Sequence, residues 1–277
     1  MALLSDLVAD LAQVSFLPEA TVFAYGRFAR EAGHISQKGR GRGAASMSVR
    51  DAANLLIAVA GTAVTREAGT AIDTFRGLKG EFFAAPDQAS LQVIKWLKPL
   101  GWEVRRDRHG ALDGKQKGDF GDFLEYMIQM ALGPELNQFL RAIPVVDAAS
   151  ITEPYRNQPD TPSEILVKYG ARLKAPREIE IGVDIAIRFK FDRLYPQVTV
   201  EVFRPNVLYA APLFMLTFSP PQTDYIEGYF HTTAEFGEVC VAMLGATLTG
   251  KKIPGKIKNY RQFMHFLFPP PAAAEKS

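Results

Sequence analysis

A single cysteine, Cys240, in 277 residues leaves no partner for an internal disulfide and fits a reducing compartment. Its apolar setting implies a buried structural thiol. Histidine is also scarce: His34, His109, His231 and His265 are scattered. None has a Cys, Asp or Glu at metal-ligand spacing, so no metal and no other cofactor is implied. Long apolar runs are missing as well. The longest, Ala52–Val64 and Val207–Phe218, are too short to span a bilayer. The N-terminal MALLSDLVADLAQV is interrupted by Asp6 and Asp10 and follows no basic stretch, unlike a signal peptide. A soluble cytoplasmic chain without a membrane partner is the expectation. Excess charge is absent overall, at +2 for the whole chain. With 47% apolar and 22% charged residues, the composition suits packed cores and not general disorder.

Catalytic signatures are lacking too. The Gly/Arg run near residue 40 lacks the strand, spacing and Lys-Ser/Thr of a phosphate-binding loop. A metal-dependent nuclease would place an acid on one strand and Glu-x-Lys on the next. Asp184 and Glu201 occupy such positions, but Phe203 stands where the lysine belongs. Glu178, Glu180, Asp184 and Arg188 are read instead as the wet face of a sheet. A nuclease is the lesser alternative, and no residue is assigned a catalytic role.

What the chain does contain is a concentrated basic stretch between Pro18 and Gly61. Pro18 suits a helix start. From Thr21 to Ala32 apolar residues keep one helical face, with Arg27, Arg30 and Glu31 off it. Gly33 stands where such a helix stops. Lys38, Arg40 and Arg42 follow among Gly39, Gly41 and Gly43, a composition unsuited to a packed helix or a central strand. Ser48-Val-Arg-Asp51 is a capping box opening an apolar helix over Ala52–Ala60. From Arg27 to Arg50 there are six basic residues and one acid, a local charge of +5. Guanidinium groups make bidentate contacts to phosphate or guanine.

This stretch resembles the winged helix-turn-helix of transcription regulators, in which a recognition helix runs into a Gly/Arg wing. The matching residues are Arg27, Arg30-Glu-Ala-Gly33-His-Ile35, the wing-like Lys38-Gly-Arg-Gly-Arg-Gly43, and Ser46-Met-Ser-Val49 as a return strand. Residues 1–62 are also similar to the start of uncharacterised phage and prophage proteins carrying an R-D-A-A-N-L-L segment. The resemblance implies a phage-type transcription regulator that binds double-stranded DNA through Thr21, Arg27, Arg30, Lys38, Arg40, Arg42 and Arg50. Arg27 and Arg30, three apart, would share a helix face toward base edges. The alternative is a phage-type interaction or structural protein, an assembly factor or an inhibitor of a host complex, whose basic loop contacts a protein or nucleoprotein partner.

Along the chain, residues 2–14 and 65–78 have helical spacing. Phe82, Phe83 and Pro86 look like a linker, dividing a helical domain over 1–82 from an α+β domain over 87–268 for self-association or partner binding. A helix to Leu100, a short strand and turn over Trp102–Gly110, and helices over Phe120–Leu132 and on to Ala142 follow. Lys95–Lys117 carries a local charge of +4, and Lys251–Arg261 five basic residues with no acid. Ile179 to Phe189 alternates apolar and polar residues without a miss, the clearest strand signal in the chain. Val198, Val200 and Val202 continue it after a turn at Leu194–Pro196. Ile165–Leu173 and Val207–Phe218 complete an antiparallel meander. Thr232-Thr-Ala-Glu235 is the sequence pattern of a capping box, predicting a helix to Leu248. A short helix over Tyr260–Phe268 precedes a disordered tail at 269–277. The fold class expected is therefore α+β, with an antiparallel sheet packed by helices and a winged-helix-like helical region before it.

Overall fold

The structure is a computed structural model and describes residues 2–37, 45–84, 97–98, 101–106, 112–142, 186–203, 214–220, 233–251, 264 and 266–268. The expected elements at 165–173 and 179–185, most of those at 87–100 and 260–268, and the tail at 269–277 lie outside these residues.

Local sequence accounts for most of the helices. In α1 (Leu4–Ser15) Leu4, Leu7, Val8 and Leu11 are buried at helical spacing. α2 (Glu19–Glu31) begins after Pro18 and is closed by Gly33 at φ +83°, a left-handed conformation that glycine adopts without steric cost. α3 (Val49–Gly61) starts at the predicted box, and from Asp51 to Gly61 every residue is buried. A helix apolar on all sides has to lie inside the protein. A tight turn over Thr65–Glu67 leads into α4 (Ala68–Arg76). Asp119 and Asp122 cap α5 (Phe120–Ala131) reciprocally, and α6 (Glu135–Ala142) follows the Gly-Pro break. α7 (Glu238–Leu248) is buried along nearly all its length.

Seven strands, β1 (Lys79–Ala84), β2 (Trp102–Arg106), β3 (Leu112–Gln116), β4 (Ala186–Asp192), β5 (Gln197–Phe203), β6 (Phe214–Ser219) and β7 (Thr233–Gly237), form one sheet. Their order is β2-β3-β1-β6-β5-β4-β7, and every pairing is antiparallel. The α+β class read from the sequence is what the protein has. Alternation decides the two faces. Ile187, Phe189, Phe191, Val198, Val200, Val202, Leu216 and Phe218 are buried on the side of the helices. Opposite them, the register aligns Glu103, Lys115, Glu81, Thr217, Thr199, Lys190 and Glu235 in one polar row across all seven strands. Within that row Lys115 pairs with Glu81 (3.5 Å), and Lys117, just past the end of β3, pairs with Glu103 (3.0 Å). The basic surplus around residues 95–117 is thus partly neutralised on the sheet.

Two sequence expectations are corrected. The segment around Phe82 is not a linker. It is β1, hydrogen-bonded to β3 on one side and β6 on the other, with Phe82 buried edge-on to Trp102. Nor does Thr232-Thr-Ala-Glu235 open a helix. Residues 233–237 pair with β4, and α7 starts at Glu238. Strand pairing there satisfies a row of backbone groups, and Phe236 stacks on Phe189 with ring centres 4.5 Å apart. A local cap offers less.

The helices before residue 77 and the sheet share one apolar cluster. Phe75 of α4 lies 5.1 Å from Phe191 of β4 between ring centres. Arg193, in the β4–β5 turn, donates to the carbonyls of Ala60 (2.9 Å) and Val59 (3.4 Å) at the end of α3. Asp10 of α1 accepts from Thr247 of α7. At the crossing of α5 and α7, a side chain on Gly245 would come within 2.7 Å of the Ala131 backbone. Described residues on both sides of the division expected between 82 and 87 thus contribute to this cluster.

Candidate nucleic-acid interface

The basic stretch leaves α2 at Gly33 and returns at α3, and buried polar groups hold both of its stems. The Asp51 carboxylate, 3% exposed, accepts from the Ser36 backbone N–H (2.7 Å) and hydroxyl (3.1 Å) on the outgoing stem. From the returning stem it accepts the Ser48 N–H and hydroxyl, both at 2.8 Å. The Ser48 hydroxyl accepts in turn from the Asp51 N–H (3.1 Å), so one aspartate caps α3 and closes the loop.

One turn further along α3, Asn54 donates to the His34 carbonyl (2.6 Å) and accepts from Arg76 of α4 (2.6 Å). Arg76 also pairs with Glu125 of α5. A chain of bonds therefore runs from the stem of the loop into the helical layer. The Gln37 side chain donates to the Arg30 carbonyl, and the Met47 N–H donates to the Ala2 carbonyl (2.9 Å).

Of the residues singled out in the sequence, Arg27 and Arg50 are exposed. The Arg27 guanidinium lies over Phe28 at 4.5 Å and 3.6 Å from Glu31. Both partners of that ion pair are more than half exposed, so it contributes little to stability. Arg30 is half-buried, and its Nε has no hydrogen-bond partner. Thr21 is half-buried. Lys38, Arg40 and Arg42 lie outside the described residues. The predicted return strand over Ser46–Val49 is corrected: residues 45–48 form no strand, and Val49 is already the first residue of α3. Ser48 must be extended to cap the helix, and Asp51 holds it there. The closing role of Asp51 and Asn54 escaped the sequence reading, which treated Asp51 as a helix cap alone.

On the sheet, Asp184 lies outside the described residues. Glu201 is buried and engaged by Arg188 (2.7 Å) and Lys190 (2.9 Å). Burial alone would raise its pKa, but hydrogen bonds from Lys190 and Arg188 hold it below the ordinary carboxylate value. A cation there would have to displace two protein cations. Among the described residues no group of three or more His, Cys, Asp or Glu side chains is arranged to hold a metal ion. His34 stands 3.3 Å from Asp73. Cys240 is buried on α7 and its thiol is pushed up to about 12 by that burial.

Comparison with known proteins finds no family model that matches the chain, no matching curated protein and no matching solved structure.

Asp51→Ala should cost about 1–3 kcal/mol, since it removes the reciprocal half of the α3 capping box and leaves the Ser36 and Ser48 N–H groups without their acceptor. Urea denaturation checks the magnitude. Limited proteolysis checks the location, because cleavage should increase between Ser36 and Ser48. Unchanged cleavage there would count against Asp51 as the clasp of the loop.

Proposed function

We propose that the protein binds double-stranded DNA through its basic loop and the adjoining helix ends, as a phage- or prophage-type transcription regulator. The contact set is Lys38, Arg40, Arg42 and Arg50, with Thr21, Arg27 and Arg30 on the α2 side. The observation that carries this reading is the Asp51 clasp. It draws Ser36 and Ser48 to one carboxylate, so the basic loop between them leaves and rejoins the helical layer at one place. A glycine-spaced loop on such a base can follow a phosphate backbone or enter a minor groove while the helices stay fixed. Arg50, exposed in the first turn of α3, adds a cation beside the returning stem.

Each phosphate contact displaces condensed counterions, which makes affinity fall with salt at about −0.9 in log–log slope per contact on B-DNA. Arg40→Ala combined with Arg42→Ala should therefore weaken binding to all duplexes and flatten that slope by about two. Fluorescence anisotropy with short duplexes over a salt series measures both. A regulator keeps a preference for one sequence after the salt-dependent part is removed. A protein that binds no duplex at low salt does not have this function, and an interaction role in a phage assembly or on a host complex takes its place.

A further inference from the structure

α2 buries Val22, Tyr25, Gly26 and Ala29 and leaves Glu19, Ala20, Phe23, Arg27 and Glu31 exposed. Phe23 keeps 50% of its surface in solvent, and Phe16, just ahead of the helix, keeps 94%. Phe16 also sits at φ 56°, a left-handed conformation unfavourable for a residue with a Cβ. Neither ring serves the core. Phe23 thus gives the exposed face of α2 an apolar centre flanked by Glu19 and Arg27.

We propose that this face of α2 is the interface of a homodimer in which the two α2 helices pack antiparallel across a two-fold axis at Phe23. The charge pattern selects both occupant and direction. Glu19 and Arg27 stand four residues to either side of Phe23, one helical turn each way. An antiparallel pair centred there sets each Arg27 against the partner's Glu19, twice over, with the two Phe23 rings meeting at the axis. A parallel pair would set Glu19 against Glu19 and Arg27 against Arg27. The surface is thus complementary to itself, as a two-fold interface has to be. Ala20, small and exposed beside Phe23, leaves room for helix axes to approach to about 8–10 Å. The Arg27–Glu31 pair is loose enough, at 3.6 Å with both side chains more than half exposed, for Arg27 to turn toward a second acid.

This dimer does not depend on DNA binding. Arg27 is the one residue both surfaces share, so the test measures mass without nucleic acid. The full-length chain is followed by sedimentation equilibrium over a concentration series, with far-ultraviolet circular dichroism confirming that each variant is folded. The wild type should reach twice the chain mass. Phe23→Ser and Arg27→Glu should each weaken association about tenfold, the effect of one central contact. Glu19→Arg combined with Arg27→Glu should restore it. A wild type that stays monomeric, a Phe23→Ser chain that associates as the wild type does, or a charge-swapped pair without rescue overturns the proposal.

Discussion

Replacing Phe191 with alanine should destabilise the whole chain by about 3–5 kcal/mol, the usual cost of emptying a fully buried aromatic site. Phe191 is 0% exposed. Its ring lies 5.1 Å from Phe75 of α4, 5.5 Å from Phe120 of α5 and 5.6 Å from Phe236 of β7 between centres. The cavity would therefore open where the first helices, the later helices and the sheet meet. Because one core joins them, far-ultraviolet circular dichroism and tryptophan fluorescence should trace a single urea transition, moved as a whole by the substitution. Phe75→Ala should move the same transition. The double variant should depart from additivity by about 0.5–1.5 kcal/mol, the coupling of two rings in contact. Two transitions, only one of them shifted by Phe191→Ala, would mean that residues 1–82 unfold as a separate unit.

The second large effect belongs to Glu238, the first residue of α7. Its carboxylate is nearly sealed from water and accepts the Ile187 N–H at 2.9 Å. Burial raises its pKa to about 7 from the ordinary 4.5, against backbone hydrogen bonds from Ile187 and from its own N–H. A folded-state pKa above the unfolded one means the folded protein holds the proton more tightly. The stability this contributes is complete below about pH 4.5, declines as pH rises through 7, and is gone above it. By linkage its full size is about 3 kcal/mol. Glu238→Gln keeps an oxygen for the Ile187 N–H and cannot ionise. Relative to wild type, the variant should gain stability by roughly that amount between pH 4.5 and pH 8. Urea midpoints of the two proteins across this range give the difference directly, since the other titrating groups are common to both. A difference that stays constant with pH would rule out Glu238 as the source.

What this sequence determined alone is whatever a few neighbouring residues can encode. Leu4, Leu7, Val8 and Leu11 fall on one side of a helix because 3.6 residues make a turn, and α1 buries them. Ser48 and Asp51 are close enough to cap α3 without outside help. Ile187, Phe189, Val198 and Val200 alternate because a strand has two faces, and they are buried on one. The concentration of arginine near residue 40 is likewise plain in the sequence. Tertiary structure decided the elements whose partners are remote. β1 looks like a linker until β6 pairs with it, since Gly80 and Phe82 meet Phe218 and Leu216 only in the folded chain. Thr232–Glu235 carries a helix-cap pattern, yet residues 233–237 pair with the open side of β4 over five positions, and Phe236 stacks on Phe189. In the candidate site, the basic residues were legible. The clasp was not, because Ser36 and Asp51 bond only after α2, the loop and α3 have folded back together. Local periodicity records which side of an element turns inward, but what waits on that side depends on residues far away in the chain.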